Sequence, residues 1–403
     1  MLQQENSTHN GKSGKLIIPK GIQTAVVKGI ESGDAATAWE LDDENAVFAL
    51  LTGNAEAEGL EPMTIEEAKM CPDWPRWEEV INVELKSLDD AHTLNMVDHP
   101  KDTNVVSCKW VFKIKKNAVG EIDKYKVDLV ARGFTQQYGV DYNETYAPVA
   151  RLASLYLILA ITAHQNWDIK LFDFHSAFLN GKLDDNKIIF MELPPGFNKK
   201  GCNLIARLCV TIYSSKQGAL KWYQHLYATL QDLEFTQMEA DWGVFIMIVV
   251  KHILILASHV DDCMVTGSSL EVIKAFKEEI RTHFWITDLG PISWLLRMKV
   301  TRDHGNRTIS LSQELYVNAI LAKYNFTDVK PVSIPLDPHI QLSEKQSSTT
   351  TNEITCMRNI PYQQAVGSLI HLAAGTHPNI TFTTSFISQF NNNPRWEHWE
   401  VVK

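Results

Sequence analysis

Apolar and polar positions change period several times along the chain, and each change marks an element. Positions Trp77, Val80, Ile81 and Leu85 recur at helical spacing, and acidic and apolar residues from Thr64 onward extend that pattern upstream. Lys109–Lys115 and Lys124–Val130 then alternate with period two. With a turn at Asn117–Gly120 they predict a hairpin whose one face packs while the other carries lysines. Leu152–His164 reads as an apolar helix. Trp167–Phe174 reads as a strand that places Ile169, Leu171 and Asp173 on one face. Ser214 and Gln217 fit a capping box opening a helix to about Leu233. Its apolar stripe is Ala219, Trp222 or Tyr223, Leu226 and Leu230, and its polar stripe is Gln217, Lys221 and Gln224.

The strongest local pattern lies between two short apolar runs, Ile253–Ala257 and Cys263–Val265. The connection His259-Val260-Asp261-Asp262 predicts a hairpin with two adjacent carboxylates at its tip. Downstream, the pattern gives a charged helix over 270–283, a turn at Asp288–Pro291 and a strand ending near Val300. A strand over 308–313 and helices over 314–324 and 362–374 follow. The Ser/Thr/Pro-rich stretch from about 335 to 359 reads as a linker, and residues 1 to about 60 as a flexible leader holding one apolar island, Ala46–Leu51.

Composition narrows the class. The chain has 403 residues, enough for two or three domains, with 45% hydrophobic and 21% charged residues. No run of about 18 apolar residues suggests a membrane span, and the first twenty residues lack the apolar core of a secretion signal. The six cysteines form no Cys-x-x-Cys pair and read as reduced intracellular thiols rather than a zinc site. A net charge of −10 excludes a generally basic coat for nucleic acid, but seven basic residues face three acidic ones between Lys109 and Arg132. Counter-charge is needed only where phosphates lie.

Two adjacent carboxylates repel, and a hard divalent cation bound through oxygens relieves that repulsion. Asp173 at the end of its strand supplies a third. Taken singly, Asp261 and Asp262 fit ordinary turn chemistry and Asp173 a solvated strand end. Taken together they suit two metal ions serving phosphoryl or nucleotidyl transfer.

Several segments in order resemble the reverse transcriptase of copia-type long-terminal-repeat retrotransposons, from about Trp74 to the end. They are Lys109–Lys113, Leu129–Gln136, Tyr146–Val149, Asp173–Gly181, Lys216-Gln217, Val260–Asp262, Asp288–Gly290, Leu311–Gln313, Ala365–Leu369 and His398-Trp399. The resemblance implies an α+β, right-hand polymerase with fingers, a palm built on an antiparallel sheet, and a thumb, ending before ribonuclease H. On that scheme residues 1–73 are leader, 74–300 fingers and palm, 301–340 a thumb-like segment, and 341–403 linker and a truncated connection.

The resemblance makes Asp173, Asp261 and Asp262 the catalytic metal ligands, with two Mg²⁺ ions for which Mn²⁺ can substitute. It makes Lys113 and Lys115 contacts of the incoming triphosphate, Phe178 the aromatic that crowds the sugar 2′-carbon, and Gln217 a contact of the nucleotide, with Lys221 one turn on. The implied partners are an RNA or DNA template with its primer and a deoxynucleoside triphosphate, in the cytoplasm and nucleus, with no membrane.

The sequence departs from the family at Asp128 (an arginine elsewhere), Tyr156 (an arginine), Ser214 and Arg297 (glycines) and His259 (a tyrosine). These changes leave a second expectation open: a catalytically impaired relic that grips nucleic acid without synthesis.

Overall fold

The computed structural model describes residues 61–101, 103–116, 122–184, 187–196 and 204–403. The leader with its apolar island and the 117–120 turn lie outside these residues. The chain divides into two units. The larger holds residues 61–313 with 372–378. The smaller holds 314–371 and 379–403 among the described residues.

The larger unit begins with helices α1 (Ile65–Met70) and α2 (Trp74–Asp90). The Thr64 side chain caps α1 by accepting from the Glu67 N–H at 3.1 Å. Next stands the expected lysine hairpin, β3 (Cys108–Lys116) paired antiparallel with β4 (Ile122–Ala131). Period-two alternation decides its faces. Trp110, Phe112, Tyr125, Val127 and Leu129 are buried, and Trp77 of α2 meets the Phe112 and Tyr125 rings edge-on at 5.4 and 4.6 Å.

A two-stranded ladder leaves both outer edges with unpaired N–H groups, which must find partners elsewhere. Glu61 accepts from Ile114 N on one edge at 2.6 Å, and Glu84 of α2 accepts from Leu129 N on the other at 3.3 Å. Four short strands, β1 (Leu94–Asp98), β2 (Val105–Val106), β6 (Phe190–Met191) and β7 (Leu204–Leu208), form a separate sheet against the same core in the order β1-β7-β6-β2.

The second core is built on a six-stranded sheet. Its strands are β5 (Asp168–Phe174), β8 (Thr236–Met238), β9 (Asp241–Val249), β10 (His252–His259), β11 (Asp262–Gly267) and β12 (Ile286–Pro291), ordered β12-β5-β11-β10-β9-β8. Three helices cover it: α3 (Leu152–Gln165), α4 (Gly218–Asp232) and α5 (Leu270–His283). One face presents Phe172, Phe174, Leu254, Leu256, Cys263 and Val265 to the apolar sides of α4 and α5. The other presents Ile169, Ile255, Ala257 and Met264 to Leu155, Ile158 and Leu159 of α3. Burial on both faces explains why β10 and β11 read as continuous apolar runs instead of alternating.

The same side gains a three-stranded sheet, β13 (Trp294–Leu295), β14 (Met298–Asp303) and β15 (Thr308–Ser312). Tyr156 of α3 donates its hydroxyl to the Gly375 carbonyl.

The smaller unit is helical: α6 (Glu314–Lys323), α7 (Thr351–Arg358), α8 (Tyr362–Gly375, whose last turn belongs to the larger unit), α9 (Thr381–Ser388) and α10 (Trp396–Val402). Its core is Met357, Tyr362, Ala365, Val366, Ile387, Phe390 and Trp399.

Two local expectations need correcting. Residues 351–358 sit within the stretch read as linker, yet Thr350 and Glu353 form a capping box and Glu353 pairs with Arg395 at 2.6 Å. That Thr-x-x-Glu start signal outweighs the Ser/Thr-rich composition around it. The helix after Ser214 begins only at Gly218 and has no side-chain cap. Ser214 lies in the left-handed region (φ +60°) and the Ser215 hydroxyl donates to Ile212 O at 2.7 Å, so both serines are used by the turn.

Candidate active site

The acidic hairpin forms where the alternation placed it. His259 pairs with Asp262 across a two-residue loop, Val260-Asp261. Val260 has φ +61°, a conformation that a β-branched residue resists at a cost of roughly 1–2 kcal/mol. Surrounding bonds hold it there: Trp222 of α4 donates its indole N–H to Val260 O at 2.8 Å, and Phe174 N donates to Asp261 O at 3.0 Å. Trp222 is thus both a core residue and a clamp on the loop.

β11 pairs antiparallel with β5, and the register sets Asp173 directly opposite Asp262. Directly opposed residues point to one face of the sheet, so the third carboxylate stands beside the first two. Burial pushes the Asp173 carboxyl up to about 6, with Asp261 and Asp262 adding to the rise and Lys115 and Lys126 opposing it. Negative charge crowded in this way around Asp173 is what a bound cation would relieve. All the donors are hard oxygens, which suits Mg²⁺ or Mn²⁺. Among the described residues no three acidic, imidazole or thiol side chains are already placed so as to hold a metal ion by themselves. Mg²⁺ accommodates this, because it keeps waters and takes oxygens from substrate phosphates.

The lysine hairpin supplies the opposing charge. Its solvent-side pairs are Lys113 with Lys126 and Lys115 with Lys124, followed by Val111 with Asp128. Lys115 and Lys126 are the cations whose fields reach Asp173. Lys126 was part of the basic run in the sequence but not a candidate contact; the register, which fixes its neighbour as Lys113, is what selects it. Asp128 pairs with Lys126 at 3.0 Å, so this acid offsets one lysine of the face. Behind them Glu84 is raised to about 7, first by burial and then by Asp128.

Phe178 follows β5 in a short 3-10 turn and meets Tyr213 edge-on at 5.4 Å. The Lys126 ammonium lies over the Tyr213 ring, 5.9 Å from its centroid. Gln217 is only 4% exposed; its Oε1 accepts from Gln136 Nε2 at 3.1 Å. Lys221 sits in a cleft of about 380 Å³ with Lys182, Asp184 and His225, ion-paired with Asp184 at 2.5 Å. The structure therefore groups Asp173, Asp261, Asp262 and Lys115, sets Phe178 beside Tyr213, and gives Lys221 an acidic partner of its own.

Asp288 has a structural job. It pairs with buried Lys277 and accepts from Gly290 N at 2.8 Å, and these hold its carboxyl low against the upward push of burial. Beside it, two residues not anticipated from sequence stand at the strand end. Trp285 is 77% exposed and stacks on His175 with centroids 4.5 Å apart. A tryptophan between the charged end of a helix and the strand that follows was the available signal.

A profile described as reverse transcriptase (RNA-dependent DNA polymerase) matches residues 91–338. The chain belongs to that family. Its affinity is with the copia-type retrotransposon polyproteins. It is 33% identical over 345 residues to the retrovirus-related Pol polyprotein from transposon TNT 1-94 of Nicotiana tabacum, covering 85% of this chain and 26% of that one. It is 30% identical over 330 residues to each of the corresponding polyproteins from transposons RE1 and RE2 of Arabidopsis thaliana, covering 81% of this chain and 22% of each relative. This chain thus spans about a quarter of the length of the curated relatives it matches.

Proposed function

We propose that the larger unit is an RNA-directed DNA polymerase module that joins a deoxynucleoside monophosphate to a primer 3′-hydroxyl. The observation that carries this reading is the register that opposes Asp173 to Asp262, beside Asp261 and under the lysine face. On this reading the six-stranded sheet is the palm and the lysine hairpin belongs to the fingers. Template, primer and nucleotide are its partners, inside the cell.

Asp173, Asp261 and Asp262 would hold two Mg²⁺ ions, with Mn²⁺ as a substitute. Held there, such ions would supply a lower pKa to the primer hydroxyl and counter-charge to the leaving pyrophosphate. The chain's own residues do the rest by position and charge. Lys115, with Lys113 and Lys126, offsets the triphosphate. Phe178, buttressed by Tyr213, excludes a 2′-hydroxyl by bulk. The Trp222 and Phe174 bonds fix the loop that carries Asp261, so the carboxylates need not reorganise as charge develops.

A second reading, binding without synthesis, is favoured by the Lys126–Asp128 pair, which removes one positive charge from the lysine face. Primer extension on an RNA template with a DNA primer, in Mg²⁺ and then Mn²⁺, decides between them. Extension by the native chain that disappears in Asp262→Asn supports the polymerase. Tight template–primer binding without extension in either metal supports the second reading.

A further inference from the structure

Gln136 and Gln217 are both buried, at 7% and 4% exposure, and belong to segments 81 residues apart. Buried amides are costly unless their atoms are matched. Here one backbone group fixes the whole arrangement. Lys216 N–H can only donate, and it lies 2.7 Å from Gln136 Oε1. The Gln136 carbonyl must therefore face Lys216, which turns its amino group toward Gln217. That amino group donates to Gln217 Oε1 at 3.1 Å. The carbonyl of Gln217 is thereby engaged, and its Nε2 is left as a buried donor without a partner among the described residues.

The two segments are locked together by more than the amides. Ala131 N donates to Tyr213 O at 2.9 Å, and a methyl group at Gly133 would collide with Ser214 O. Gln136 N in turn donates to Gly133 O at 3.1 Å. Gln136 thus rides on a turn that cannot draw back from the Ser214–Gln217 segment without breaking the contact. Gly218, next after Gln217, lies against Phe178, so the orphaned donor belongs to the wall that holds the aromatic.

From this geometry we infer that Gln136 is a positioning residue: it sets the Gln217 amide so that its N–H groups, not its carbonyl, meet the incoming nucleotide. The ligand atom at that point is accordingly a hydrogen-bond acceptor, an oxygen of the sugar or triphosphate. The inference rests on the nucleotidyl-transfer reading proposed above. It adds to it the amide's orientation and the residue that enforces it.

The discriminating variant is Gln136→Glu. A carboxylate still accepts from Lys216 N but has nothing to donate, so Gln217 turns its amino group to the new carboxylate and its carbonyl to the ligand. The assay uses the full chain on an RNA template annealed to a dideoxy-terminated DNA primer, titrated with the complementary dNTP, so that binding is read without chemistry. Single-nucleotide incorporation on an extendable primer gives KM and kcat in parallel.

The expected result is a rise of about 5- to 30-fold in dNTP Kd and KM, the loss of one hydrogen bond plus an acceptor facing an acceptor, with kcat changed less than about threefold and template–primer affinity retained. On a Gln217→Ala background, Gln136→Glu should add nothing, because it acts through the amide already removed. The inference is overturned if Gln136→Glu binds dNTP like the native chain. It is also overturned if the same factor persists on the Gln217→Ala background, which would reduce the effect to charge. A native chain that binds template–primer but no dNTP would instead remove the nucleotidyl-transfer reading, and this inference with it.

Discussion

Glu84→Gln tests the electrostatics behind the lysine face. Glu84 sits on α2, where burial and then Asp128 raise its carboxyl to about 7, against the opposing Leu129 N–H and Lys126. In the unfolded chain the same group titrates near 4.5. The folded state therefore holds the proton more tightly than the unfolded state. Between pH 4.5 and 7 the native form binds more protons, so stability falls as pH rises, and the loss is complete above about pH 7.

The span from 4.5 to 7 corresponds to an upper bound of about 3 kcal/mol, which partial exposure reduces to about 1–2 kcal/mol. Glutamine keeps an oxygen for Leu129 N and cannot ionise. Urea denaturation followed by tryptophan fluorescence should show Glu84→Gln raising the midpoint at about pH 8 and leaving it nearly unchanged at about pH 4.5. An equal gain at both values, or a loss at the higher one, would refute the assignment of a destabilising buried charge.

Other outcomes follow from single contacts. Leu296 and Arg297 form the two-residue loop between β13 and β14 with φ +45° and +64°, so Arg297→Gly should stabilise the chain by up to about 1 kcal/mol in the same denaturation assay. Trp285→Ala removes an exposed stacking surface at the strand end and should weaken template–primer binding about fivefold or more, read by fluorescence anisotropy, without changing the melt. Gly243→Ala would drive a methyl group into the Ala150 backbone. It should destabilise the larger unit by several kcal/mol or prevent its folding, seen as loss of the cooperative transition.

Much of the site was legible because its elements have clean periods. The apolar runs around Val260–Asp262 allowed only a tight hairpin, and the alternation through Ile169, Leu171 and Asp173 fixed the third carboxylate's face. The pairing of β5 with β11 is long-range, and periodicity carries no information about which strands become neighbours. Lys126 shows the same limit on a smaller scale: a lysine in a basic run gains its place beside Asp173 only through the register with Lys113.

The Gln136–Gln217 contact was hidden because two amides far apart in sequence leave no local pattern. Ser214 misled for the opposite reason. Its capping signal is genuine chemistry for a hydroxyl, but the close approach of Gly133 takes that residue into a left-handed turn first. Arg297 marks a departure whose consequence only the structure shows: its cost lies in the left-handed backbone of a two-residue loop.

The most direct test of the acidic centre is single-turnover incorporation of one complementary deoxynucleotide, measured across Mg²⁺ concentration for the native chain and Asp173→Asn. The account predicts a native rate that rises with Mg²⁺ and saturates, and an Asp173→Asn rate lower by about 10²- to 10³-fold with template–primer affinity retained. A variant within tenfold of the native rate, or a native rate indifferent to Mg²⁺, would contradict it.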